Sequence, residues 1–141
     1  MNRYRTCACC RIQPSRVGRA AIDGLPDQYV RELLEQTVGS VFRVGGAALW
    51  SQSRGQQRAA LARQVGMYLA HVACGLTLTQ VGRIFARDRT TVAHACTTIE
   101  DLRDDDRFDR IVNLLEGIMR ALAFLLATHS AAGGHHARAP W

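Results

Sequence analysis

Asp88-Arg89-Thr90-Thr91, with His94 one turn further on, is the segment whose residue types and spacing could do chemistry. An Arg guanidinium can donate two parallel hydrogen bonds to N7 and O6 of guanine, and a carboxylate can accept from N4 of cytosine. A Thr offers its hydroxyl to a phosphate or its methyl to thymine. These groups would stand at the start of a helix, where free backbone N–H groups and a partial positive charge already favour a phosphate. That chemistry is recognition of a duplex rather than bond making. His94 has no nucleophile–base pairing near it, so it reads as a structural or phosphate-side residue and not as an acid–base catalyst.

Two short helices must position this cluster. Thr77 and Gln80 have the spacing of a capping box that opens a helix, and Leu78, Val81 and Phe85 then fall on one face of it. After Ala86-Arg87 the periodicity restarts with Val92, Ala95, Cys96, Ile99 and Leu102, a single apolar stripe, and Asp88 is placed as the N-cap. Arg89, Thr90, His94, Thr97 and Thr98 occupy the opposite face. Two helices, a tight turn and a small polar second-helix face describe a helix-turn-helix. Thr77, Thr79 and Arg87, on the first helix and the turn, join the candidate DNA contacts.

The run RDRTTVAHA resembles the signature of the DNA-binding C-terminal domain (domain IV) of the bacterial replication initiator DnaA, whose pattern is Asp-His-Thr-Thr-Val-x-His-Ala. Asp88, Thr90, Thr91, Val92, His94 and Ala95 match it, and Arg89 stands where the family has His. The resemblance extends upstream through Arg63 to Ala70 and covers residues 28 to 116 or thereabouts. It implies a compact all-α domain with a Trp-repressor-like helix-turn-helix, reading its DNA box through Asp88, Arg89 and Thr90. It also implies that the loop Ser51 to Arg58 corresponds to the family's basic loop, whose arginine enters the minor groove; Arg54 and Arg58 are the local candidates.

Around this centre the sequence predicts further helices. Pro26 and Asp27 open the first, with Val30, Leu33, Leu34, Val38 and Val41 inward, and Gly45-Gly46 ends it before a turn or two at Ala47 to Trp50. A long helix runs from Gln57 to Cys74 with Leu61, Val65, Leu69 and Val72 inward and Gly75 as its stop. Arg63, near its middle, is either a solvated stem over apolar surface or a phosphate contact. Asp104 to Asp106 read as caps of the last helix rather than as metal ligands. That helix starts near Phe108, packs Ile111, Leu114, Leu115, Ile118 and Met119, and continues apolar nearly all round to Ala127.

The expected organisation is a flexible basic arm over residues 1–25, a DNA-binding domain over 26–127 and a disordered tail over 128–141. All 18 basic residues are Arg, and the net charge of +6 is unevenly placed: residues 28–98 carry eight Arg against three acids, residues 99–120 four against seven. Positive charge gathers where the DNA-reading helices lie, as a nucleic-acid footprint should. Cys7, Cys9 and Cys10 lack the paired spacing of a zinc site, as do His135 and His136, and neither a metal nor any cofactor is expected. No GxxxxGK[ST] loop is present and there is no Lys to serve one, so the initiator's ATPase module is not expected in this chain, nor any enzymatic activity or small-molecule substrate. With no signal peptide and no apolar run long enough to span a bilayer, a cytoplasmic, nucleoid-associated location is expected. Two functional classes follow: a sequence-specific binder of double-stranded DNA acting in replication or transcription, or an interaction module whose apolar last helix binds a replication-initiation protein.

Overall fold

A computed structural model describes residues 26–53 and 55–132, which form six helices and no strand. They are α1 (Asp27–Phe42), α2 (Gly46–Leu49), α3 (Gln57–Val72), α4 (Leu78–Phe85), α5 (Arg89–Leu102) and α6 (Asp106–Ala132). The expected all-α domain with a helix-turn-helix is therefore the architecture, the helix-turn-helix being α4 and α5. The expected arm at 1–25, Arg54 and residues 133–141 lie outside the described residues. Among those described, no helix is long and apolar enough to cross a membrane.

α3 is the hub. It packs against every other helix, and Ala62, Val65, Leu69 and Ala70 are wholly removed from solvent. A helix covered on so many sides carries small residues where neighbours come closest. Gly66 faces the Phe85 ring so tightly that a Cβ there would lie 3.0 Å from it. α3 ends where Cys74 N–H reaches back to Leu69 O at 3.1 Å and Leu76 N–H to Ala70 O at 3.2 Å. Gly75, at φ 71°, makes that reversal in a backbone region glycine enters at little cost. Burial pushes the Cys74 thiol up to about 12, leaving a protonated, inert side chain within the core.

α1 contributes Val30, Leu34 and Val38 to the core, and α5 contributes Val92, Ala95, Cys96 and Ile99. Two expected core positions point outward instead. Val41 is exposed because the inward row runs 30, 34, 38 in steps of four and passes next to Phe42. Leu102, the last residue of α5, is exposed because the helix leaves the core there and Arg103 turns the chain. In α6 the buried row is Val112, Leu115, Met119 and Ala123, so the expectation that Ile111 and Leu114 pack inward is wrong. α6 carries two apolar stripes, and local periodicity cannot say which one faces the core. The helix also begins at Asp106, with Asp105 Oδ1 accepting from Arg107 N and Phe108 N, both at 2.9 Å, and it runs to Ala132, past the point where the tail was expected to begin.

A buried polar cluster fixes the second half of the fold. Tyr68 on α3 is 1% exposed. Arg103 donates to its hydroxyl at 2.8 Å, to Glu116 Oε1 at 2.6 Å and to Asp109 Oδ1 at 2.6 Å. Burial first, then Glu116, pushes the Tyr68 hydroxyl up to about 12. Burial alone would lower the Arg103 guanidinium; the hydrogen bond to Asp109 and its other partners outweigh that and hold it above its ordinary value. The cluster ties α3, the end of α5 and α6 into one body.

Candidate nucleic-acid interface

The capping box on α4 forms in full: Gln80 N–H donates to Thr77 Oγ1 at 3.2 Å and Thr77 N–H to Gln80 Oε1 at 2.8 Å. Val81, Ile84 and Phe85 are buried, with Leu78 packed at the edge. α4 then stops at Ala86, whose φ of 51° is left-handed without being glycine. Arg87 N–H returns to Gly82 O at 2.8 Å. A Cβ on Gly82 would sit 2.5 Å from Arg87 O, so only glycine lets the turn fold back this closely. Asp88 caps α5 as expected: its Oδ1 accepts from Thr91 N at 2.7 Å. That backbone hydrogen bond holds the Asp88 carboxyl below the usual range, so it is ionised at neutral pH.

The start of α5 faces outward. Asp88, Arg89, Thr90, Thr91 and His94 are all exposed, while Val92 and Ala95 beneath them are buried. Among the described residues no ion pair involves Arg89. The acids of the 101–109 segment stand at the far end of α5, about 20 Å away at 1.5 Å per residue over its 14 residues. Further along the polar face, Thr97 and Thr98 hydroxyls donate to the carbonyls of Ala93 (3.2 Å) and His94 (3.0 Å).

Opposite this tip lies the segment joining α2 to α3, and between them opens a cleft of about 620 Å³. Gln52, Ser53, Gly55 and Gln57 form one wall; Thr90, Thr91 and His94 form the other. Two arginines at the cleft fasten this wall. Arg63 donates to Ser51 O and, at 2.6 Å, to Ser53 O. Arg87 donates to Ser51 O at 3.3 Å and Gln52 O at 3.1 Å. Gln52 Nε2 adds a bond to Phe85 O at 3.3 Å. Arg63 is only 5% exposed, because α3 is covered on most sides, so the expectation of a solvated stem fails. Burial, then the neighbouring Arg87 charge, lowers its guanidinium. Both residues set the position of the wall.

The remaining expected site residues fall as follows. Arg58 is exposed but sits in the first turn of α3 rather than in the loop, since α3 starts at Gln57. Thr79 is exposed in the first turn of α4. Thr77 is exposed, with its hydroxyl engaged in the capping box. Arg54 lies outside the described residues. The structure therefore brings Arg87, Asp88, Thr90, Thr91 and His94 to one cleft with Arg63. Sequence reasoning missed Gln52, Ser53, Gly55 and Gln57 there; the polar run Ser51-Gln-Ser was the available signal. α1 and α2 brace the site from behind. Arg31 donates to Ile84 O at 3.1 Å and stacks 4.2 Å from the centre of the Trp50 ring, while Trp50 Nε1 donates to Glu35 at 2.9 Å.

Comparison with known proteins locates the same segment. The family described as bacterial dnaA protein helix-turn-helix matches residues 32–99, from the second turn of α1 through most of α5. The chain is 33% identical over 110 residues to the chromosomal replication initiator protein DnaA of Azoarcus sp. (strain BH72), covering 74% of this chain and 23% of that protein. It is 38% identical over 84 residues to DnaA 2 of Chlamydia pneumoniae, 59% of this chain and 18% of the relative. For the initiator of Bordetella pertussis the figures are 38% over 77 residues, 54% and 16%. The chain thus spans less than a quarter of the length of these relatives.

Proposed function

We propose, on the premise that residues 32–99 belong to the bacterial DnaA helix-turn-helix family, that this chain binds double-stranded DNA sequence-specifically and acts in replication initiation or its regulation. The amino end of α5 enters the major groove, and the Ser51–Gln57 wall follows the adjoining strand. The observation that carries this reading is the outward, cationic, hydroxyl-bearing start of α5 beside an open cleft. A duplex edge needs donors and acceptors held by a rigid element and not already spent on the protein itself. Arg89 meets that description and reads guanine. The ionised Asp88 carboxylate accepts from a cytosine amine. Thr90 and Thr91 meet a phosphate or a thymine methyl, and Arg58 contributes sequence-independent attraction. Because Arg89 replaces the His of the family signature, the preferred box differs from the initiator's at the base this position reads.

Selection of binding sites from a random duplex pool tests this. Enrichment of one box, with Arg89→Ala relaxing a single position of it, is the expected outcome. A pool that stays unenriched while the protein remains folded overturns the reading.

A further inference from the structure

Residues 51–53, at one wall of the cleft, belong to no helix or strand, yet they are held from two sides. Arg63 ties them to α3, the helix they lead into, by donating to Ser51 O and Ser53 O. The second tie runs to the helix-turn-helix itself. Arg87 Nη2 donates to Ser51 O at 3.3 Å and to Gln52 O at 3.1 Å, and Gln52 Nε2 donates back to Phe85 O at 3.3 Å. Gln52 thus both gives and receives across the gap, to the two residues that flank Ala86. Arg87 is itself anchored: its N–H returns to Gly82 O at 2.8 Å, and the next residue is the Asp88 cap of α5. Water could satisfy loop carbonyls such as these. A guanidinium does more, because its rigid, planar fork fixes where the carbonyls lie.

We infer that Arg87, with Gln52, is a positioning residue for DNA binding. It touches neither phosphate nor base; it holds the 51–53 wall at a set distance from the amino end of α5, so that both meet the duplex as one preformed surface. The inference rests on the DNA-binding reading and deepens it, and it replaces the sequence-based expectation that Arg87 contacts DNA. A wall left loose must be ordered on binding, which costs roughly tenfold in affinity for each residue whose backbone is fixed at that moment.

Measurements on the full chain, without DNA and with it, test this. Without DNA, Arg87→Ala should lower the NMR order parameters of the Gln52 and Ser53 amides from about 0.85 to below about 0.6, leaving Val92 and Ala95 unchanged. On the box selected from a random pool, Arg87→Ala should bind about tenfold more weakly, with the same base preferences. Its slope of log K against log salt should equal the parent's, whereas a lost phosphate contact would lower the slope by about 0.9, as Arg58→Ala should. Arg87→Lys keeps the charge without the fork and should not restore affinity. Gln52→Ala should act in the same direction, less strongly. A salt slope that falls with Arg87→Ala, or full affinity in Arg87→Lys, overturns the inference, and so do wall amides that stay ordered in Arg87→Ala. A parent that selects no box while Arg87→Ala loosens the wall overturns the DNA-binding reading instead.

Discussion

The two ends of α5 carry the same residue type and put it to opposite uses. At the amino end Arg89 stands exposed beside two threonines, and its sequence neighbour Asp88 spends its carboxylate on the helix cap. Just past the carboxyl end Arg103 is enclosed by Tyr68, Asp109, Asn113 and Glu116. One guanidinium is available to a partner; the other holds the molecule together. Side-chain chemistry alone does not assign these roles. What decides is whether acceptors on other elements reach the group first, and Arg63 and Arg87 fall on the structural side for that reason.

If that contrast is right, substitutions at the two ends separate stability from binding. Arg103→Ala should have the largest effect, since it removes charge-assisted hydrogen bonds to the Tyr68 hydroxyl, Asp109 and Glu116 at once and leaves Glu116 only Arg120 and the Tyr68 hydroxyl as partners; a loss of about 3 kcal/mol by urea unfolding is expected. A loss below about 0.5 kcal/mol, the level of an ordinary surface change, would show that the cluster is not a tie. Gly82→Ala comes next. Forcing a Cβ against Arg87 O should cost about 2 kcal/mol and shift the start of α5, so binding falls together with stability. Arg89→Ala should do the reverse: stability within about 0.5 kcal/mol of the parent, and discrimination at one base reduced roughly tenfold or more in competition binding.

Asp88→Ala should cost about 1 kcal/mol through the lost helix cap, and its pH dependence identifies the cause. The folded Asp88 carboxyl lies below its unfolded value, so its contribution is present above the unfolded pKa and lost as pH falls through the folded one. The melting temperature of Asp88→Ala should therefore lie below the parent's at neutral pH and converge on it in acid. A gap that persists unchanged at low pH would mean the carboxylate is not acting as a charged cap.

Much of this site was legible in the chain itself. The Thr77–Gln80 box, the restart of periodicity after Arg87 and the Asp88 cap are local, depending on residues within one turn of each other, and each forms as the sequence predicts. The roles of Arg63 and Arg87 were not legible, because their acceptors are backbone carbonyls 10 to 36 positions away that carry no side-chain signal. The inward face of α6 was misread because both its stripes are apolar, and only the packing of α1 and α3 chooses between them. Val41 and Leu102 were misassigned at helix ends, where a row followed for three turns drifts off the core.

The central claim, that the start of α5 engages a duplex, is tested most directly by the affinity of the full chain for its selected box across a salt series. The account predicts that log K falls linearly with log salt at about 0.9 per phosphate contacted. It also predicts that Arg89→Ala binds the box more weakly while binding unrelated duplexes as the parent does. Affinity independent of salt, or an Arg89→Ala variant that still prefers the same box, would contradict it.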